Sequence, residues 1–365
     1  MTKRVVAARA YASAALAIVG VFAGSLAHGQ DAAKVVRIAS IGTLSEGKVF
    51  VTSQSTRVQT EGWLEQQLAK RGVKLVWHPV ASSLGGPGFN EALASKQVDF
   101  ASYGDLPSII AKSAGVDIKL IVPYGGATHS YLFVRKGVAA NSLADLKGKR
   151  IALQRARPAE LPFTRLAREH GLALSDFKIY NLPPDGGKSA VVAGSVDAYF
   201  GDPGVYQLQD QGHGRIIWST KQTPAGKGSW NTRVDLYART EFARANPEIT
   251  KLVAAAYIRA AHWVSQDQNF DQVVQIYARP GSPEHVIRRD FADQPLPWRE
   301  RWSPVFNDEL ARHFNESIQI SLERKLIRRA FDARELFDPT YARAALRSLQ
   351  LEGFWATSGA KVATR

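Results

Sequence analysis

The chain contains no cysteine, and its only methionine is Met1. Without cysteine, the protein has no disulfide, no zinc–thiolate site and no thiol nucleophile. A lipid-bearing cysteine behind a leader is excluded for the same reason, so we expect no lipidation. If the first residues are removed as a leader, the remaining chain contains no sulfur atom.

Sequence motifs of catalysis and of metal binding are missing too. There is no G-x-S-x-G elbow, and the eight histidines form no i, i+4 pair of the kind that binds zinc. Gly187-Lys188-Ser189 opens a predicted helix as a phosphate loop would, but Leu182 stands where that motif needs its first glycine. We therefore expect no enzyme activity, no cofactor and no metal.

Residues 1–29 have the three parts of a signal peptide. Lys3, Arg4 and Arg9 precede an apolar stretch from about residue 10 to 23, and small residues follow at Ser25-Leu26-Ala27 and Ala27-His28-Gly29. A membrane anchor is the alternative, but it needs about 20 apolar residues, and this stretch is interrupted by Ser13 and Gly20. The mean hydropathy is −0.19, and no later segment is long and apolar. The sequence therefore predicts cleavage and a soluble protein in the periplasm.

The net charge is +14, and the basic residues are scattered along the chain. A positive balance raises the local concentration of anions. Because nucleic acid is not a partner for an exported protein, we expect a small anionic ligand instead.

Short apolar runs alternate with helical patterns through the first two thirds of the chain. The predicted strands are 35–40, 74–80, 98–104, 118–125, 150–154, 177–182, 196–201 and 214–220, and one predicted helix spans 48–71. This alternation is typical of βαβ units in a mostly parallel sheet. Residues 91–107 and 189–205 have the same order of elements, which favours two similar lobes; chance similarity between two α/β units is the alternative.

The predicted fold class is α/β, with two lobes, each an open doubly wound sheet, and a helical C-terminal extension. The first lobe is predicted to be discontinuous, comprising residues 35–126 and 235–365, and the second to span 130–230. The chain crosses between them near 125–132 and 228–236, where glycine-bearing extended runs occur.

In open α/β sheets, ligands bind at the carboxyl ends of the strands, where helix N-termini favour anions. Arg155 and Arg157 are the favoured contacts, because a guanidinium matches sulfonate, phosphate or carboxylate oxygens; an exposed loop arginine is the alternative for each. This rule selects, from the two lobes, Ser40, Gly42, Thr43, Tyr103, Gly104, Asp105, Gly125, Gly126, Gln154, Arg155, Arg157, Gly201, Asp202 and Trp230.

Several stretches of the chain match a known family. The match rests on four stretches: SLADLKGKRIAL (142–153), HGL (170–172), the run that ends at Asp202-Pro203, and VDFASYGDLPSIIAKSAG (98–115). With them the chain resembles the periplasmic substrate-binding proteins of ABC importers of the nitrate/sulfonate/taurine type. The resemblance implies the two-lobed type II periplasmic binding fold, capture of a small ligand in the cleft and delivery to an inner-membrane ABC permease. We expect a monomer.

One loop departs from the family pattern. Where members usually have Gly-Ser at the start of a helix in the second lobe, this chain has Ala156-Arg157-Pro158. Either a guanidinium replaces a backbone-and-hydroxyl contact to the anion, or the loop is redirected. Pro162 indicates in addition that the helix begins late, because an interior proline costs about 3 kcal/mol.

Other functions on this fold are less well supported by the sequence. The desulfinase-like relatives are expected to need a nucleophilic cysteine, and a transcription regulator would need an N-terminal helix-turn-helix; this chain has neither. The sulfur-free chain and the arginine loop favour an aliphatic sulfonate or taurine-like anion. Nitrate or another small organic ligand is the alternative, and resistance to oxidation or base-composition bias would also remove sulfur.

Overall fold

The computed structural model describes residues 33–125, 129–223, 230–278, 282–292 and 297–355. The predicted signal peptide lies outside these ranges, and so do Gly126 and parts of both predicted crossings. Among the helices in these ranges, none has the length and apolar character needed to cross a membrane.

Within the described ranges the chain forms eleven strands in two sheets. In chain order they are β1 Val35–Ser45, β2 Lys48–Val51, β3 Lys74–Val80, β4 Phe100–Gly104, β5 Ile118–Val122, β6 Tyr131–Arg135, β7 Arg150–Ala152, β8 Lys178–Tyr180, β9 Ala198–Gly201, β10 Gly214–Ser219 and β11 Val234–Arg239.

The two sheets divide the strands by position in the chain. One has the order β2-β1-β4-β11-β5 with β3 also paired to β1, and the other has the order β10-β6-β9-β7-β8. β1 is parallel to β3 and β4, whereas β11 inserts antiparallel between β4 and β5. In the second sheet β7 is parallel to β8 and β9, and β6 is antiparallel to β9 and β10.

Thirteen α-helices accompany these strands in the described ranges. They are α1 Gln54–Glu61, α2 Trp63–Ala69, α3 Gly85–Ala94, α4 Asp105–Ser113, α5 Glu160–Glu169, α6 Pro184–Val192, α7 Val205–Asp210, α8 Thr240–Ala245, α9 Pro247–Val264, α10 Phe270–Tyr277, α11 Glu284–Phe291, α12 Asp308–Glu323 and α13 Thr340–Ser348.

Each sheet is covered on both faces, as the apolar strands require. Along β4, Phe100 belongs to a core cluster with α9 and α13, whereas the next residue, Ala101, belongs to a cluster with α3 and α12. Along β6, Leu132 packs with α5 and Phe133 with α6 and α7. We call the six-stranded sheet and its helices the first lobe, and the five-stranded sheet with α5–α7 the second lobe.

The prediction of one helix over 48–71 was wrong. β1 continues to Ser45, turns at Glu46-Gly47 and returns as β2, so residues 48–51 are a strand. Glu46 and Gly47 have φ values of 50° and 74°, as a two-residue hairpin turn requires. The helix that follows is broken in two at Gly62, which adopts φ 69°.

The C-terminal helices contact both lobes. α9 and α13 pack on the first sheet, and α10 and α11 form a separate aromatic cluster with Trp302. From this cluster α11 reaches the second lobe, where the Tyr131 hydroxyl donates to Asp290 Oδ1 at 2.6 Å. Burial and this carboxylate raise the pKa of Tyr131, so the phenol remains a donor.

Candidate ligand-binding site

A cavity of about 90 Å³ lies between the two lobes, at the carboxyl end of β4 and where β1 ends its pairing with β3 and β4. The first lobe provides most of its wall, and the second lobe closes it with two residues. The lining residues are Ser40, Ile41, Thr52, Ser53, Gly86, Phe89, Ser102, Tyr103, Gly104, Pro107 and Val234 from the first lobe, and Arg157 and Pro158 from the second.

Three helices of the first lobe begin at this cavity. Ser53 precedes α1, Gly86 is the second residue of α3, and Gly104 precedes α4. No N-cap side chain accepts a hydrogen bond from the first turn of any of these three helices. The dipole of each helix places partial positive charge at its N-terminus, so this wall of the cavity favours an anion. At α4 the amides of Asp105 and Leu106 already donate, to the Arg233 carbonyl and to Asp105 Oδ1, so its contribution is the dipole.

The opposite wall is the loop that carries Arg157, and a buried carboxylate holds its conformation. Glu160 is 1% exposed; its Oε1 accepts from Arg155 Nε at 2.9 Å and its Oε2 from the Ala156 amide at 2.7 Å. Ala156 adopts φ 55°, a left-handed conformation that is uncommon for a residue with a side chain. Glu160 thus fixes the turn that directs the next residue, Arg157, to the cavity.

Tyr103 contributes a polar group that has no hydrogen-bond partner in the part of the chain that the structure describes. Its ring packs on Phe89 at 5.0 Å and on Tyr237 at 4.9 Å. The hydroxyl is buried and has no hydrogen-bond partner among the described residues. Burial raises the pKa of Tyr103, which keeps the phenol neutral and able to donate. An unsatisfied buried donor beside a cavity is costly unless a ligand or water accepts from it.

Comparison with known proteins identifies the family. Residues 85–269, about half of the chain, match the NMT1/THI5-like family. The chain belongs to this family. The matched span includes α3, Gly104 and the Arg157 loop, and therefore part of the first-lobe wall and the second-lobe wall of the cavity.

Among solved structures, this NMT1/THI5-like chain is similar to the periplasmic sulfonate-binding protein SsuA from Methylobacillus flagellatus KT. The two are 38% identical, the match covers 90% of this chain and 99% of that chain, and the TM-score is 0.79. The predicted resemblance to periplasmic substrate-binding proteins is thereby confirmed, as is the two-lobed fold class.

Two further relatives show the range of the fold. A Bacillus subtilis (strain 168) protein named as an aliphatic sulfonates-binding protein is 25% identical over 294 residues, which cover 78% of this chain and 82% of that protein. The desulfurization enzyme DSZB is 15% identical, with a TM-score of 0.61 over 86% of this chain and 99% of that one. At that identity only the fold is shared, so the fold alone does not decide between binding and catalysis.

Four of the residues predicted for the site line the cavity: Ser40, Tyr103, Gly104 and Arg157. Asp105 lies directly behind it, fully buried, where Oδ1 accepts from the Leu106 amide and Oδ2 is 2.8 Å from His313 Nε2. Asp105 therefore anchors the start of α4 to α12.

The other first-lobe candidates lie away from the cavity lining. Gly42 and Thr43 are in the β1–β2 hairpin, opposite Val51 and Phe50. A side chain at Gly42 would overlap the Phe50 carbonyl oxygen. Gly125 packs on β11, where a side chain would overlap the Val234 carbonyl. Gly126 lies outside the described residues.

The remaining second-lobe candidates have other surroundings. The Arg155 guanidinium pairs with Glu160, and Asp202 accepts from Lys188 at 3.2 Å and from the Tyr199 hydroxyl at 3.1 Å. Gly201 lies against the same hydroxyl. Trp230 is in the core beside Trp218, and Gln154 follows the short strand β7. None of these residues is in the cavity lining.

Sequence reasoning missed much of the lining. Thr52 and Ser53 were inside the predicted 48–71 helix, so their position at a helix start was not recognised. Gly86 and Phe89 lie in α3, the helix that follows β3. No candidate was chosen between β3 and β4, although a helix start at the end of a strand signals an anion contact. In the described ranges no group of three or more His, Cys, Asp or Glu side chains is placed to hold a metal ion.

Proposed function

We propose that this protein is the extracytoplasmic solute-binding component of an ABC importer, which captures a small aliphatic sulfonate between its lobes and delivers it to a membrane permease. The observation that carries the proposal is the cavity itself. Arg157 from the second lobe shares the cavity lining with three helix N-termini of the first, with the Tyr103 hydroxyl buried beside them. A guanidinium, helix amides and a phenol are all donors, and the three oxygens of a sulfonate are all acceptors.

The names of the relatives support the sulfonate as ligand, because both the Methylobacillus and the Bacillus proteins are described as sulfonate-binding. The first is also described as periplasmic, which supports a periplasmic location with removal of residues 1–29. We propose a freely diffusing monomer without a lipid anchor; the chain has no cysteine that could carry a lipid.

The composition of the cavity supports binding without chemistry. The lining residues that the structure describes provide hydroxyl groups, one guanidinium, glycines and apolar side chains, and among them is no carboxylate, imidazole, amine or thiol. Hydrolytic and transfer reactions use such groups as base or nucleophile. The proposal is therefore release of an unaltered ligand, which NMR of the recovered compound tests directly.

Closure of the site is proposed to involve the two stretches that join the lobes. The chain leaves the first sheet after β5 and returns to it at β11, so it crosses twice. We assign residues 35–126 with 235–365 to one moving body and 130–230 to the other, with hinges near 125–132 and 228–236. This arrangement is the usual route to hinge closure around a ligand.

Calorimetric titration tests the ligand class. We expect methanesulfonate, ethanesulfonate or taurine to bind, and nitrate and benzoate to bind more weakly. Binding of nitrate with no heat from any sulfonate would overturn the sulfonate proposal.

The Arg157→Ala variant is expected to weaken sulfonate binding by more than tenfold, because it removes the only cationic side chain among the described lining residues, and tenfold corresponds to about 1.4 kcal/mol. Arg71→Ala is the matched control, since Arg71 is exposed after α2 and donates to the Gln67 carbonyl. An unchanged dissociation constant for Arg157→Ala would remove this residue from the site.

A further inference from the structure

The loop Ala156-Arg157-Pro158 meets the first lobe at three glycines. A side chain at Gly104 would overlap the Pro158 ring, and one at Gly85 would overlap the Arg157 guanidinium. At Gly86 a Cβ would lie 3.2 Å from the Ala156 carbonyl oxygen and 2.6 Å from Pro107 Cβ. The absence of side chains at these three positions is what allows the loop to close on the cavity.

This wall of the cavity is stiff. The ring of Pro158 fixes its φ, and the Arg157 and Pro158 carbonyls accept from the amides of Glu160 at 2.9 Å and Leu161 at 3.2 Å. Glu160 holds the preceding turn through the Ala156 amide. A wall made of a proline ring and a backbone turn does not change rotamer to admit a larger ligand, as a long side chain would.

The space between the loop and the first lobe is small. The cavity there has a volume of about 90 Å³. Pockets for larger organic ligands are about 300–1,000 Å³. With Pro158 against Gly104, this space has room for a charged head group with a short substituent, and a longer chain beside it would have to displace the loop.

We propose that Pro158, closing against Gly104, sets an upper size limit on the ligand, so that the site selects short alkanesulfonates against long-chain ones. This inference rests on the proposed function and deepens it. A longer chain prevents the Pro158 ring from reaching Gly104, and the closing contacts of the loop are then lost. The selected class is a sulfonate with one or two carbons.

The first experiment is a calorimetric series on the full mature chain with methanesulfonate, ethanesulfonate, butane-1-sulfonate and hexane-1-sulfonate. We expect hexane-1-sulfonate to bind at least tenfold more weakly than ethanesulfonate. Equal affinities along the series would overturn the size limit while leaving sulfonate binding intact. No binding of any sulfonate would instead overturn the proposed function, so the two failures are distinct.

The second experiment assigns the limit to the Pro158–Gly104 contact. Pro158→Ala is expected to reduce the preference for ethanesulfonate over hexane-1-sulfonate at least fivefold. Gly104→Ala is expected to weaken ethanesulfonate more than tenfold, and Gly104→Ala with Pro158→Ala to recover much of that loss, because the overlapping ring is gone.

The control is Gly353→Ala, since nothing lies within 4 Å of the added Cβ there. Thermal unfolding of each variant identifies any that do not fold. A folded double variant that binds no better than Gly104→Ala alone would overturn the assignment. If Gly104→Ala does not fold, an unchanged chain-length preference in Pro158→Ala would overturn the assignment in its place.

Discussion

At the scale of single residues, the side chain that organises the site does not line it. Glu160 is buried, and its carboxylate satisfies both the Ala156 amide and the Arg155 guanidinium. Arg155 was predicted to bind the ligand because a guanidinium matches an anion and because the residue follows the end of a predicted strand. Its partner was not foreseen, because the pairing depends on the turn at Ala156, and alanine seldom adopts the φ that this turn needs.

Glu160→Gln is expected to weaken sulfonate binding by about tenfold, or about 1.4 kcal/mol, because the amide cannot accept from both groups and the turn loses its anchor. Calorimetry measures this, with Glu169→Gln at the exposed end of the same helix as control. In the Arg157→Ala background the same change should add little, since residues that act together are not additive. Full additivity would show that Glu160 acts on something other than Arg157.

A second ion pair predicts a pH dependence of stability. Arg150 Nη2 donates to Asp197 Oδ1 at 2.9 Å, and this hydrogen bond lowers the pKa of Asp197 from 3.8 to about 2. Because the pKa is lower in the folded chain, the pair stabilises the fold above the unfolded pKa, and this stability is lost as the pH falls from about 4 to about 2.

Asp197→Asn is therefore expected to lower the free energy of unfolding at pH 7 by about 2 kcal/mol, at 1.36 kcal/mol per pKa unit with a discount for the partly exposed arginine. Urea unfolding between pH 7 and pH 3 should show the difference from the unaltered protein shrinking toward low pH. Asp185→Asn, whose side chain is 88% exposed, is the control. A difference that does not vary with pH would contradict the prediction.

At the scale of helices and strands, α12 has a cap that the sequence signals. Asn307 Oδ1 accepts from the Leu310 amide at 2.9 Å, and Asp308 and Glu309 occupy the first turn. Asn307→Ala is expected to cost about 1 kcal/mol of unfolding free energy, measured by urea unfolding. Asn307→Ser keeps a capping oxygen and should lose less than half as much. Equal losses would mean that the cap is not the cause.

Most elements of the sheets were predictable, because buried parallel strands are short apolar runs bounded by turns. The exception is residues 48–71, where hydrophobic periodicity alone did not predict the secondary structure. Val51 and the apolar residues of α2 fit one helical pattern, but the pattern ignores that Glu46-Gly47 is a hairpin turn. This single error removed Thr52 and Ser53 from the predicted site, whereas Tyr103 and Gly104 were predicted because they end the strand β4.

At the scale of the whole molecule, α5 of the second lobe lies on α12 of the first, below the cavity. Arg165 is 8% exposed and lies 3.4 Å from Glu316 Oε2, and its Nη2 donates to Ser317 Oγ at 3.3 Å. Leu161 packs between Leu106 and Ile320. None of these residues lines the cavity, so we expect them to affect binding by stabilising the closed arrangement of the two lobes.

Arg165→Met is expected to weaken ligand binding three- to tenfold without touching the ligand, because a smaller closed fraction lowers the apparent affinity. Calorimetry gives the affinity, and small-angle scattering gives the radius of gyration with and without ligand. Arg168→Met is the control, since its pair with Glu323 is 55% and 53% exposed and exposed pairs contribute little. An unchanged affinity for Arg165→Met would show that this contact does not support closure.

The place of β11 in the first sheet has a consequence for the order in which the molecule assembles. β11 fills the gap between β4 and β5, yet the ribosome makes it only after every strand of the second sheet. The second lobe therefore has all its strands before the first lobe does, although the first lobe begins earlier in the chain. Until residue 239 has emerged, β4 and β5 each have one edge without its partner β11. Unpaired strand edges promote aggregation, so the nascent chain is most exposed to aggregation during this interval.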